Sequence, residues 1–282
     1  MADLIAPKAT PMIITLNEAP NLARCLDRLL WAQRILIVDS GSSDETLTIA
    51  RSYPQVDIVH RPFDDFANQC NFGLTQVATQ WALSLDADYE LSAALEQEIL
   101  SMREGDAAGY SAAFIYRVHG RPLRGALYPP RTVLYQARRA VYRNEGHGHR
   151  IEVQGKVERL DASIFHDDRK PLSTWIDSQK RYARQEADYL LSKPLSALNW
   201  PDRLRRMGWP APLLVFLYTL LWKRCVLDGW QGWYYALQRT AAEIVIALEL
   251  IDRRLAPSPT AAPFENGALP LAGSRHTKCE VD

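Results

Sequence analysis

Residues 81–89, WALSLDADY, constrain this chain more than any other stretch. Trp81, Ala82, Leu83 and Leu85 make a nearly continuous apolar run, which suits a strand covered on both faces better than one open to water. The run ends in two carboxylates, Asp86 and Asp88. Open α/β sheets bind their ligands at the carboxyl ends of their strands. Two carboxylates two residues apart can share a hard divalent cation, and such a cation often holds a diphosphate. A plain acidic turn has the same spelling, so the residues before the pair decide its weight.

Those residues alternate between strand and helix patterns. MIITL, 12–16, reads as a strand with Asn17 and Glu18 at its end. Pro20 fits the first turn of a helix in which Leu22, Leu26, Leu29 and Leu30 share one face. RILIV, 34–38, reads as a second strand that runs into DSGSSD, 39–44. There Gly41 and the serines permit a tight turn, and Asp44 is placed to cap the helix beginning ETLTIA. VDIV, 56–59, is a third strand, and a helix over about 66–78 leads into WALSL. The series predicts the α/β class, with a mostly parallel, doubly wound sheet. Right-handed crossovers then bring Asn17, Asp39 and Asp86 to one rim. On that rim Asp39 is a fixed acceptor for a base N–H or a ribose hydroxyl, and Asn17 offers both a donor and an acceptor. Capping and turn formation are the competing roles for these residues.

Composition removes several function classes. The formal net charge is zero, so no global field draws the chain to nucleic acid. Cys25, Cys70, Cys225 and Cys279 form no C-x-x-C and read as reduced thiols of a cytoplasmic protein. The opening MADLIAPKATP has neither a basic start nor a long apolar stretch, so no secretory signal is expected. No uninterrupted apolar run reaches the length of a membrane-spanning helix.

Four segments, IITLNEAPN, ILIVDSGSSDET, FANQCNFGL and WALSLDADYEL, stand in the order and spacing of family 2 glycosyltransferases. The chain resembles that family over about residues 10–190, and within it the bacterial cell-envelope branch related to lipopolysaccharide core enzymes. The resemblance implies a GT-A, Rossmann-like fold. It also implies a nucleotide-diphosphate sugar donor, a Mg2+ or Mn2+ ion, and a glycan or lipid-linked acceptor. It places Thr15, Asn17 and Glu18 in the nucleoside pocket and Asp39 against the base. It sets Asp86 near the ribose and donor sugar, as a catalytic and donor-binding residue, and Asp88 on the metal. Gln69 and Asn71 match positions that face the donor.

Beyond Leu91 the sequence predicts a helix over 92–103, a strand over 109–118 and a strand over 132–142. Between the strands, HGRPLRGALYPPR, 119–131, reads as a loop over the site, where Arg121, Arg124 and Arg131 can meet phosphate or an acidic sugar. The next stretch, NEGHGHRIEV, departs from the family pattern: His149 stands where relatives carry the glutamate expected to act as catalytic base. An inverting transfer needs a base within reach of the acceptor hydroxyl. Glu145, His147 and His149 are the candidates, with His147 or His149 favoured because imidazole works near neutral pH. In IFHDDRKPL, 164–172, His166 or Asp167 can complete the metal or diphosphate site, while Asp168 reads as the cap of a helix over 172–192.

Residues 193–256 read as a helical extension to a catalytic domain of residues 1–192, and 257–282 as a disordered tail. LLVFLYTLLW, 213–222, is too short to span hydrocarbon but lies between basic clusters and many tryptophans. That composition fits an in-plane helix on a membrane surface. A second helix is expected over 233–252. Packing on the catalytic domain or on another subunit of a homo-oligomer is the competing role. The whole predicts an inverting, metal-dependent hexosyltransferase-like enzyme on the cytoplasmic side, peripheral to the membrane. Two rivals are a scaffold that binds nucleotide sugar without turnover and a sugar nucleotidyltransferase. The latter opens on a Gly-rich phosphate loop, which TLNEAPN does not supply.

Overall fold

The structure, a computed structural model, describes residues 3–145 and 148–256, with residues 145, 148 and 149 by backbone alone. The expected alternation is present: β1 (Ala9–Thr15), α1 (Leu22–Asp27), β2 (Ile35–Asp39), α2 (Thr46–Arg51), β3 (Val56–His60), α3 (Phe66–Gln76) and β4 (Trp81–Asp86). β1 begins three residues before the apolar run at Met12, and α1 stops short of Leu29 and Leu30. Pro20 lies in the turn before α1, which starts at Leu22.

These strands stand in the order β3-β2-β1-β4 and are all parallel. Their residues alternate between two covered faces. Ile13, Ile35, Ile37, Trp81, Leu83 and Leu85 pack toward Leu22, Cys25 and Leu26 of α1. Met12, Leu36, Val38 and Ala82 pack toward Ala67 and Cys70 of α3. A strand with two covered faces favours apolar residues on both, which is why the runs in β1, β2 and β4 lack a polar period. Each buried large side chain contributes about 1.5–3 kcal/mol. Gly73 lets α3 sit close on the sheet, since a Cβ there would lie 2.5 Å from Met12 Sδ.

The second half of the sheet is mixed rather than parallel. It comprises β5 (Tyr89–Leu91), β6 (Ala107–Val118), β7 (Arg121–Pro122), β8 (Arg131–Gln136) and β11 (Lys156–His166), with α4 (Ala93–Ser101) after β5. β8 is antiparallel to both β4 and β6, β11 is parallel to β6, and β5 is antiparallel to β11. Parallel neighbours need a crossover of a dozen or more residues, and no helix separates β6 from β8. The expected strand over 132–142 is broken by a short helical turn at Ala137–Arg139. The stretch holding the candidate bases is a hairpin of β9 (Ala140–Glu145) and β10 (Gly148–Val153), with Glu145 opposite Gly148 and His149 opposite Asn144.

α5 (Leu172–Ser192) has the expected bounds. α6 (Trp200–Met207) follows, capped by the Asn199 side chain, which accepts from Asp202 N–H. α7 (Pro210–Leu217) continues as a π-helical turn through Trp222, and α8 (Gly229–Leu255) starts before the expected 233. Arg205 of α6 ties α5, α6 and α8 together. Its guanidinium lies 2.9 Å from Glu243 of α8, 3.2 Å from Asp202 and 3.7 Å from Glu186 of α5. The three described cysteines are free. Residues 257–282, expected to be a disordered tail, lie outside the described residues.

Candidate functional site

The register of the parallel strands places the acidic strand ends side by side. Thr15 pairs with Asp39 across β1 and β2, and Ile14 pairs with Asp86 across β1 and β4. The chain order reverses direction at β1, between β2 and β4, so this rim is the sheet's topological switch point.

Asp39 closes the turn that follows β2. Its carboxylate accepts from Thr15 Oγ1 at 2.9 Å, Gly41 N–H at 2.8 Å, and Ser42 N–H and Oγ at 2.9 and 2.5 Å. Burial pushes this carboxyl up, but the hydrogen bonds from Ser42, Gly41 and Thr15 outweigh it and hold it below the usual range. Asp39 is 1% exposed, so its carboxylate shapes the loop, and the loop backbone and hydroxyls present that shape to solvent. Gly41 needs its glycine, with φ at 103°. Asn17 adopts φ 56° and accepts from Ser43 N–H, while its own N–H donates to Ser42 Oγ. Asp44 accepts from Thr46 N–H and Ala19 N–H, so it holds the turn before α2, whose cap position is Glu45 rather than the expected Asp44.

Gln69 and Asn71 take supporting positions rather than ones open to a donor. Gln69 is fully buried, donates to Ser40 Oγ and Arg61 O, and accepts from Arg61. Asn71 donates to Tyr142 O at 2.9 Å and accepts from Tyr142 N–H at 2.8 Å, so it bolts the β9–β10 hairpin to α3. Their faces point to the hairpin and the loop after β2 because α3 is sandwiched between them.

Asp86 is half-buried at the end of β4, and Asp88 follows in the turn before β5. Asp88 Oδ2 lies 3.0 Å from His166 Nε2, so the structure brings together the two residues expected on the metal. Burial lowers the His166 imidazole, but the carboxylate of Asp88, with Asp86 and Asp168 behind it, outweighs this and holds it above its ordinary value. Asp88 Oδ1 and His166 Nδ1 are buried without a hydrogen-bond partner. Orphaned polar atoms of this kind are rare and mark a place for an ion, water or ligand. The free Asp88 oxygen suits Mg2+ or Mn2+, which need few protein ligands when phosphate oxygens and water supply the rest. Among the described residues no group of three or more His, Cys, Asp or Glu side chains is arranged to hold a metal ion by itself.

Sequence reasoning missed the aromatic wall around His166. Tyr128, Tyr116 and Tyr89 lie 4.6, 4.7 and 5.3 Å from its ring, and Arg131 stands 4.8 Å over Tyr128. They come from three separated segments without a shared period, so no local signal links them. Asn21 was also missed. Buried at 1% exposure, it donates to Glu18 and Asp168 and accepts from Arg24 and Arg169 N–H. Asp168 is thereby drawn to Asn21 and Lys170 N–H, and it does not cap α5, whose cap position is Pro171. Asp167 is fully buried against Arg169 and Gly120 N–H, turned away from the metal role open to it in sequence.

Glu18 accepts from Lys170 Nζ and Asn21. Burial lifts its carboxyl to about 7 despite Lys170 alongside, with Asp88 adding to the rise. Burial lowers Lys170 in turn, but Glu18, Asp168 and Asp88 outweigh it and keep it above its ordinary value. The side chains of Glu145 and His149, and all of His147, lie outside the described residues. A cleft of about 430 Å³ beside α3 and α5 is lined by Phe63, Asp65, Phe66, Asn144 and Tyr189 among others, and by none of Asp39, Asp86 and Asp88.

Comparison with known proteins gives consistent matches. A family model described as glycosyl transferase family 2 matches residues 12–154. An uncharacterized glycosyltransferase of Rickettsia bellii is 26% identical over 248 residues, 82% of either chain. Another from Rickettsia typhi is 33% identical over 242 residues, 80% of either chain. The lipopolysaccharide core biosynthesis glycosyltransferase LpsC of Rhizobium meliloti is 33% identical over 126 residues, 43% of this chain and 45% of that one.

Proposed function

The chain belongs to glycosyl transferase family 2, and on that premise we propose that it moves a sugar from a nucleotide-diphosphate donor to an acceptor hydroxyl, with inversion at the anomeric carbon. Its α/β fold is of the GT-A type, and its relatives include a cell-envelope glycosyltransferase. The observation that carries the reading is the meeting of the β1, β2 and β4 ends, with Asp39, Asp86 and Asp88, at the switch point of the sheet.

In this reading the loop held by Asp39 and Thr15 receives the nucleoside. The Ser40–Ser43 hydroxyls orient base and ribose, while Asn17 and Glu18 close the same side. Asp86, half-exposed one strand over, holds a hydroxyl of the ribose or the donor sugar. Asp88 and His166 would hold Mg2+ or Mn2+, which neutralises charge on the departing diphosphate. The Tyr89, Tyr116 and Tyr128 rings keep water from that pair, which strengthens its electrostatics. One of Glu145, His147 and His149, on the hairpin bolted to α3 by Asn71, takes the acceptor proton. The acceptor is a hydroxyl of an envelope polysaccharide or glycolipid. A panel of nucleotide sugars incubated with the chain and cell-envelope extract tests this reading: release of nucleoside diphosphate with one donor supports it, and donor binding without release favours the scaffold.

A further inference from the structure

The helical extension leaves a large apolar face uncovered. On α7 and its π-helical turn, Leu213, Leu217, Leu221 and Trp222 are exposed. On the turn and first half of α8, Val226, Leu227, Trp230, Trp233 and Leu237 are exposed as well. The spacings of four and three keep each set on one side of its helix, and the two sets meet at residues 223–228. Trp222 and Trp230 are 76% and 84% exposed, far above what a folded chain usually leaves in water for the largest apolar side chain.

The charges around this face share one sign. From residue 199 to 230 the cations are Arg203, Arg205, Arg206, Lys223 and Arg224, and the carboxylates are Asp202 and Asp228. Both carboxylates turn inward: Asp202 pairs with Arg205, and Asp228 pairs with Arg124. Arg203, Arg206, Lys223 and Arg224 pair with no carboxylate among the described residues, so this stretch carries unneutralised positive charge, with Lys223 and Arg224 in the turn between the two helices, on a chain whose net charge is zero. Tryptophans beside lysine and arginine, around a leucine-rich patch, match the headgroup layer of an anionic bilayer. No single described helix is long and apolar enough to cross a membrane; α7 with its π-helical turn and the helix from Cys225 to Leu255 reach that length and apolarity only as a pair, bent by 65°.

The same turn is fastened to the site. Cys225 Sγ donates to Gly125 O, Arg124 N–H and Nε donate to Asp228, and Leu127 N–H donates to Tyr235 Oη at 2.8 Å. Tyr128, next in that loop, touches His166, and Tyr116 stacks 4.7 Å from both His166 and Tyr235. A small pocket of about 30 Å³, lined by Tyr116, His119, Asp168, Lys170, Trp175 and Tyr234, lies between α8 and the site.

We propose that this face of α7 and α8 docks flat on an anionic lipid bilayer and so holds the mouth of the site at the headgroup layer, where a lipid-borne acceptor presents its hydroxyl. The docking stands on the exposed face alone, whereas the acceptor class rests on the transferase reading above.

The test is flotation of the full chain with vesicles of phosphatidylcholine alone and with added phosphatidylglycerol. Recovery with the anionic vesicles is expected to exceed that with the neutral ones by about tenfold and to fall to the neutral value in W222S/W230S. Arg224→Glu, a surface change remote from the core, is expected to weaken anionic binding with an unchanged circular dichroism spectrum. Absence of flotation with anionic vesicles overturns the proposal. So does self-association of the lipid-free chain that the tryptophan changes abolish, since a second copy would then be the occupant. Flotation does not read turnover, so an inactive but floating chain separates failure of the transferase reading from failure of docking.

Discussion

Asp88 Oδ2 and His166 Nε2 lie 3.0 Å apart although 78 residues separate them in the chain. The contact is made by a strand of three residues: β5 pairs with the end of β11 in the register that sets Tyr89 opposite His166. The Asp88 backbone also accepts from Asp167 N–H. His166→Leu therefore leaves Asp88 little exposed and without its counter-charge. Urea unfolding is expected to show a loss of about 3 kcal/mol, recovered in large part when Asp88→Asn is added. An additive double variant would mean that the two side chains do not interact.

Glu18 makes stability depend on pH near neutrality. Its folded-state carboxyl titrates at about 7, above the ordinary 4.5, so the folded chain holds its proton more tightly than the unfolded one. That contribution is fully present below 4.5 and is lost as pH rises through about 7. Glu18→Gln removes the titration. Melting curves from pH 5 to pH 8 are expected to show the variant gaining on the parent as pH rises, with a constant gap as the contrary result.

Asn71 holds the hairpin that carries the candidate bases. Its amide satisfies both backbone groups of Tyr142, a residue 5% exposed. Asn71→Ala removes both of these hydrogen bonds, at about 0.5–1.5 kcal/mol each, so a loss of about 1–3 kcal/mol is expected in denaturant unfolding. Asn71→Asp keeps the acceptor but sets a carboxylate oxygen against Tyr142 O, and is expected to lose at least as much.

Gly232 fits α8 against the turn before it. A Cβ there would stand 1.7 Å from the Cys225 carbonyl oxygen, so Gly232→Ala must displace the turn that holds Gly125 and Arg124. The expected cost is about 1–3 kcal/mol or more in thermal unfolding. An unchanged melting temperature would show that the turn yields freely.

The parallel half of the fold was legible because its signals are local. A nearly all-apolar run such as WALSL followed by a carboxylate states both the burial of the strand and what waits at its end. The strand-end positions of Asp39 and Asp86, with Asp88 just beyond, were legible this way, and α5 stands at its sequence bounds. The mixed half was not legible, since β5 is three residues long and gains its meaning only from β11. The roles of Asn71 and Asn21 stayed hidden for a similar reason: a side-chain amide bonded to residues 71 or 147 positions away leaves no periodic trace. Asp168 misled because an acid before a helix usually caps it, whereas here Asn21 and Lys170 N–H claim its carboxylate.

The most direct measurement is calorimetric titration of a nucleotide-sugar panel into the parent chain and Asp88→Asn, each with Mn2+ and with chelator. One donor is expected to bind the parent only when the divalent ion is present, and to bind Asp88→Asn about 10–100-fold more weakly while the variant keeps the parent's circular dichroism spectrum. Equal donor affinity with and without the ion, or in the two chains, would contradict the assignment of Asp88 to the diphosphate end of the site.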